Sequence, residues 1–135
     1  MARLIEQVEI ETDEATVWAA IADIGGLDWM VPQLVESCTY DDSRRVREVT
    51  FRNGMTLVEP IVACDEETRT LVWTAQGGDW THHNASVSVI AAGAGGCFVR
   101  WIADVLPDAE AETITQIMQA GLGAMKETLE AKNAD

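Results

Sequence analysis

Three side chains of this chain have the chemistry to move a proton beside a carbonyl: an imidazole, a guanidinium and a carboxylate. The only two histidines, His82 and His83, stand side by side at the head of a strictly alternating run. From Ala85 to Val89 the order is Ala-Ser-Val-Ser-Val, which gives an apolar face of Ala85, Val87 and Val89 and a wet face of Ser86 and Ser88. Strand side chains repeat every second residue, so His83 joins the apolar face and His82, with Asn84, the other. With an unperturbed pKa of about 6.5, an imidazole can take up and return a proton near neutrality. In an apolar interior such a group is either a hydrogen-bonded core residue or part of a site, and the alternation alone admits both.

The guanidinium and carboxylate follow from hairpin arithmetic around Arg52-Asn53-Gly54. A two-residue Asn-Gly turn would pair Phe51 with Thr56 and put Arg47 and Glu59 on opposite faces. A three-residue loop ending in a left-handed glycine pairs Phe51 with Met55 and sets Arg47 across from Glu59. This second register also collects Val49, Phe51, Met55, Leu57 and Ile61 on one face, as a core requires, although Val58 and Val62 on the other face blur the pattern. An inward Arg47–Glu59 pair is either a buried ion pair joining two strands, with little net stability after desolvation, or a polar anchor on a cavity wall.

The same parity places Trp73 with Leu71 and Ala75, and Trp101 with Cys97, Val99, Ala103 and Val105. Inner-face tryptophans are most often core. Here Trp73, Trp101, His83, Arg47 and Glu59 would converge, and that set does not fill a small core unless it surrounds a pocket.

The elements that must position these groups are legible in order. Leu4–Glu11 alternates weakly as a first strand. Thr12 or Asp13 can cap a short helix with Val17, Trp18 and Ile21 on one side, stopped by Gly25-Gly26. A turn containing Leu27, Trp29 and Pro32 follows. Strands are expected at Leu34–Tyr40, Arg45–Phe51, Met55–Cys64, Thr70–Gln76, Thr81–Ile90 and Cys97–Val105, with brief connections, hence an antiparallel meander. In Ala109–Lys132, Ile114, Ile117, Met118, Leu122, Met125 and Leu129 recur at helical steps, which predicts one long amphipathic helix. Gly121, on its apolar side, signals either close packing on the sheet or room for a bound molecule; Gly123 lies close by.

Composition bounds the function. The chain has 135 residues, 47% hydrophobic with five tryptophans, so one ordered domain spanning 1–135 is expected. Lys+Arg is 9 against Asp+Glu 23, a formal charge of −14; such a chain repels phosphate backbones and anionic lipid, so nucleic-acid and membrane-surface roles are disfavoured. Cys38, Cys64 and Cys97 are widely spaced and show no ligand motif, as expected of reduced thiols in a cytoplasmic protein. The charged first ten residues do not read as a signal peptide, and no run of about 18 apolar residues suggests membrane insertion. Neighbouring strand histidines face opposite ways, so His82 and His83 cannot chelate one metal together. Nucleophile-elbow and phosphate-loop strings are lacking too.

Several local strings, in order, resemble the START-like (SRPBCC) superfamily, in its polyketide cyclase/dehydrase branch. They are Val17-Trp18-Ala19 through Asp23 and Gly25-Gly26; Trp29 and Pro32; Ser37-Cys38; Arg47, Gly54, Glu59 and Asp65; Thr70-Leu71 before Trp73; Val99 and Trp101; and Ala120-Gly121-Leu122 to Met125-Lys126. The resemblance spans essentially the whole chain. It implies an α+β helix-grip fold in which a curved antiparallel sheet of about seven strands wraps a long C-terminal helix over an internal cavity. Arg47 and Glu59 match positions where members of the branch carry an Arg and a Glu, whereas many relatives have tyrosine at the place of His83.

Two activities are expected from this set. In the enzymatic one, His83 is the acid–base group, Arg47 steadies an enolate oxygen and Glu59 either orients Arg47 or acts as the acid if burial raises its pKa, giving cyclisation, dehydration or isomerisation of a hydrophobic carbonyl compound without cofactor or metal. Candidate lining residues are Trp29, Phe51, Leu57, Trp73 and Trp101, with Met118, Gly121, Leu122 and Met125 from the helix. In the alternative the same cavity carries a hydrophobic or lipid-like molecule and no reaction occurs. The expected partner is a hydrophobic small molecule, with a homodimer left open; a partner-binding module is a third class, hinted at only by the acidic surface.

Overall fold

A computed structural model describes residues 1–134, and side chains through Lys132. It holds one antiparallel sheet of seven strands: β1 (Ala2–Ile10), β2 (Val35–Asp41), β3 (Val46–Phe51), β4 (Thr56–Asp65), β5 (Thr70–Thr74), β6 (His82–Gly93) and β7 (Gly96–Leu106). Their spatial order is β1-β7-β6-β5-β4-β3-β2, so the meander from β2 to β7 is closed by the first strand pairing beside the last. Two short helices, α1 (Glu14–Ala22) and α2 (Leu27–Met30), link β1 to β2. After a 3-10 turn over Asp108–Glu110, the 24-residue α3 (Ala111–Ala134) lies against the concave face. This is the helix-grip α+β architecture.

Local chemistry explains the boundaries. Asp13 caps α1, its carboxylate accepting from the Thr16 backbone N–H at 2.9 Å. Thr12 is buried and instead donates its hydroxyl to the Leu129 carbonyl at 3.2 Å, tying the end of β1 to the last turns of α3. The expected turn after Gly25-Gly26 winds into α2, whose four residues put Met30 inward. β5 stops at Thr74, two residues short of expectation, because Gln76 crosses to exchange two backbone hydrogen bonds with Val58 of β4. The Ala75 carbonyl is taken by the indole of Trp80.

Between β3 and β4 the chain takes the three-residue loop. Phe51 N–H donates to Met55 O at 2.8 Å, and Gly54 sits at φ +93°, a conformation in which a Cβ is strained. Arg47 therefore stands opposite Glu59 and Val49 opposite Leu57. β5, β6 and β7 run in phase: Trp73 opposes Ala85, Ala85 opposes Ala103, and Val87 opposes Trp101. All these face α3, and the core forms where Ile10, Val17, Val99, Val105, Met118 and Leu129 are excluded from water.

Candidate functional site

The sheet does not close completely on α3. A hollow of about 90 Å³ remains between them, lined from β3 and β4 by Arg47, Phe51, Leu57 and Glu59, and from β5, β6 and β7 by Trp73, His83 and Trp101. Helix α3 contributes Ile114, Ile117, Gly121 and Met125. The strand-phase expectation for the three polar groups therefore corresponds to one shared space.

At one end of the hollow Arg47 and Glu59 are both buried. Arg47 Nε donates to Glu59 Oε1 at 2.9 Å, Nη2 lies 2.8 Å from the same oxygen, and Nη1 donates to the Ile24 carbonyl at 3.2 Å. The guanidinium carbon also sits 5.6 Å from the Trp73 ring centre, a cation–π contact. Burial pushes the Glu59 carboxyl above its ordinary range, and the charge and hydrogen bond of Arg47 pull against that rise.

The wall formed by β6 and β7 is less satisfied. His83 is 91% buried by its 9% exposure, and its Nδ1 has no hydrogen-bond partner; nor has the indole Nε1 of Trp101. Such orphans are few in folded proteins and mark places where a partner is missing. Burial pulls the His83 pKa below the usual imidazole value, its own backbone opposes that fall and the neighbouring His82 adds a smaller pull downward, so the neutral ring is favoured. His82 itself points to the other face and is half-buried with Asn84.

Trp80 closes the hollow beside His83. Its ring centre is 5.4 Å from the imidazole, and its indole N–H donates to Ala75 O at 2.8 Å. Contacts of these two kinds contribute about 1 kcal/mol each. Trp80 lies in a loop with no periodicity, so the sequence raises, and leaves open, the question whether Asp79-Trp80 forms a lid at the cavity mouth.

Three expected lining residues lie elsewhere. Trp29 is on the outer side of α2 and 38% exposed; its indole donates to Asp23 at 3.0 Å and the Lys132 ammonium sits 4.9 Å above the ring. Had the segment stayed an extended turn it could have faced in; the helical turn brings Leu27 and Met30 inward in its place. Met118 and Leu122 are buried but do not touch the hollow. At roughly 100° per residue, Ile117, Gly121, Ile114 and Met125 form one row, and Met118, Leu129 and Leu122 follow on its flank, packed into the core. Gly121 answers the packing question. A Cβ there would stand 2.9 Å from Trp101 Cζ3, so the missing side chain seats the indole, while Gly123 faces open space.

Among the described residues no cluster of three or more His, Cys, Asp or Glu could hold a metal ion, and no helix is long and apolar enough to cross a membrane. Among the described residues the lining of the hollow is mostly apolar, and the His83 imidazole, the Trp101 indole N–H, the Arg47 guanidinium and the Glu59 carboxyl are polar groups on its wall.

A curved antiparallel sheet gripping a long C-terminal helix defines the class as a START-like helix-grip protein. Within it, the chain belongs to the family described as polyketide cyclase / dehydrase and lipid transport, whose model matches residues 1–130. Among solved structures it is similar to a protein of Thermobifida fusca at 29% identity, covering 94% of this chain and 92% of that one with a TM-score of 0.77. It is also similar to norcoclaurine synthase from Thalictrum flavum, in complex with dopamine and hydroxybenzaldehyde, at 17% identity, 98% and 86% coverage and a TM-score of 0.76. The di-domain aromatase/cyclase BexL of the BE-7585A biosynthetic pathway superposes at 10% identity, 96% and 47% coverage and a TM-score of 0.85. At such identities the last two show the fold alone. No curated protein matches the sequence.

Proposed function

We propose that the protein is a cofactor-free acid–base enzyme of the cyclase/dehydrase type, acting on a small hydrophobic carbonyl compound in the hollow. The observation that carries this is His83: a neutral imidazole, with Nδ1 unpartnered, on the wall of an apolar space that also holds a guanidinium. A neutral imidazole removes a proton alpha to a carbonyl, leaving an enolate, and the imidazolium so formed returns the proton to a departing hydroxyl or to carbon. Arg47, oriented by Glu59 and Ile24 O, faces the developing oxygen charge with a fixed cation, which needs no rearrangement as the charge grows. Trp73 and Trp101, 5.7 Å apart, hold a flat ring against the sheet.

The test is exchange of alpha protons of small aryl ketones with D₂O, followed by NMR. The native protein is expected to accelerate exchange, and His83→Ala to lower that rate by about 10²-fold or more. Equal rates for the two proteins would remove the imidazole from the mechanism.

A second reading, a carrier of a hydrophobic molecule without turnover, is favoured by the apolar lining and by the orphaned Trp101 N–H, which suits a ligand acceptor as well as a reacting one. It expects His83→Ala to leave ligand affinity within about tenfold, as loss of one neutral hydrogen bond would. Native mass spectrometry of freshly purified protein would reveal a retained molecule.

A further inference from the structure

We propose that Trp80 is a movable partition, and that the ligand site is the inner hollow joined to the groove outside it, the two forming one elongated cleft when the indole swings away. The inference rests on the reading above that the hollow takes a ligand, and is independent of whether His83 acts as a base. As it stands, the hollow of about 90 Å³ is well below the roughly 300–1,000 Å³ common for small-molecule sites. The outer groove is about 570 Å³ and runs between the β3–β4 turn, the loop before β6 and the first turns of α3. Leu34, Phe51, Trp80 and Ile117 line both spaces, so these four side chains form the wall the two share.

Of the four, Trp80 is the one free to move. Phe51 is held in β3 and Ile117 in α3, and the backbone of Leu34 bonds to Val31 and Arg52. By contrast, among the described residues, the backbone of residues 77–80 makes no backbone–backbone hydrogen bond. That span hangs between Gln76, paired to Val58, and Thr81, which donates to Leu106 O. The indole closes by folding back over its own loop: a Cβ at Gly78 would collide with Trp80 Cζ3. Any side chain there would drive the ring off, so glycine at this position is what permits the closed arrangement.

The place the indole vacates defines what replaces it. The Ala75 carbonyl would lose its donor and the His83 ring its stacking partner. The ligand class that fits is a flat aromatic head bearing an N–H or O–H for Ala75 O, longer than the inner hollow, with a polar tail toward Arg52, Asn53 and Gln116 in the groove. A protein that binds only when Trp80 is open shows an affinity reduced by the closed fraction, and removing the partition restores it.

N-phenyl-1-naphthylamine, an uncharged two-ring molecule with one N–H, is a suitable fluorescent probe. Trp80→Ala and, independently, Gly78→Ala are expected to bind it about tenfold or more tightly than the native protein. Adding Ala120→Trp, which fills the groove beside α3, to the Trp80→Ala protein should reverse the gain. Circular dichroism melts report folding; should Trp80→Ala fail to fold, Gly78→Ala retains every large side chain and decides alone. Affinities that are the same in the native and folded variant proteins would overturn the partition while leaving the hollow a binding site. No binding by any folded variant would overturn both.

Discussion

The two ends of the hollow are built on opposite principles. At the β3–β4 end, Arg47 meets a carboxylate, a carbonyl and an aromatic face. On the β6–β7 side, His83 Nδ1 and Trp101 Nε1 are buried without partners, and His83 lies against a tryptophan held by a loop. A paired polar group stiffens its surroundings and presents a ligand with a fixed charge, whereas an unpaired one raises the energy of the empty state and lowers it when a partner arrives. The paired end is thus expected to govern stability while holding the Arg47 charge in place, and the orphaned end to govern binding and proton transfer.

The largest expected effect tests that division at the paired end. Arg47→Ala leaves Glu59 buried without its counter-charge and should cost about 3–5 kcal/mol of folding stability in urea titrations. Replacing both partners, Arg47→Met with Glu59→Leu, removes the desolvation burden and should restore most of that loss. If Arg47→Ala costs under about 1 kcal/mol, as an exposed pair would, the paired end is not the scaffold and the comparison breaks.

A smaller effect sharpens the orphaned end. The folded-state pKa of His83 lies below its ordinary 6.5 because burial disfavours the cation. The sign follows: above 6.5 the ring is neutral folded or unfolded, and its contribution to stability is fully present. As pH falls below 6.5 the unfolded chain takes up a proton that the folded one resists, and stability drains away down to the folded pKa. Glu59, raised by burial, acts in the opposite sense, its folded form holding a proton more readily as pH falls. Urea midpoints between pH 7.5 and 5.5, compared for the native protein and His83→Gln, cancel the Glu59 contribution, which both share. The native protein is expected to lose more stability on acidification than the variant. Parallel curves would show a ring as easily protonated inside as outside, and the two ends would no longer differ.

The same contrast explains what could be read before the fold was known. Groups held by register were legible: period-two alternation placed His83 inward, and the apolar set favoured, of two possible turns at Arg52-Asn53-Gly54, the one that sets Arg47 against Glu59, since one residue of slip turns that set outward. Groups held by irregular backbone were not. Trp29 turned outward because Leu27–Met30 winds into a helical turn, and Trp80 entered the wall from a loop without period. On α3 the apolar stripe was evident, but sequence could not divide it. Which row faces the hollow depends on helix rotation, and in the fold that rotation brings Gly121 against Trp101.

That seat supplies the smallest expected effect. In an open helix interior, glycine to alanine gains about 0.5–1 kcal/mol through backbone entropy. Gly123 has nothing within 4 Å of its would-be Cβ, so Gly123→Ala should raise stability by about that amount. At Gly121 the same helix gain meets a 2.9 Å contact with Trp101 Cζ3, and overpacking of this kind costs about 1–3 kcal/mol. Gly121→Ala should therefore be neutral to destabilising, and the difference between the two variants, read from paired denaturation curves, measures how tightly the helix is fitted to the indole. If both variants stabilise equally, the Trp101 ring yields without cost. The orphaned end would then be loose on its helix side as well as at Trp80, and its unpartnered N–H would have no fixed direction in which to meet a ligand.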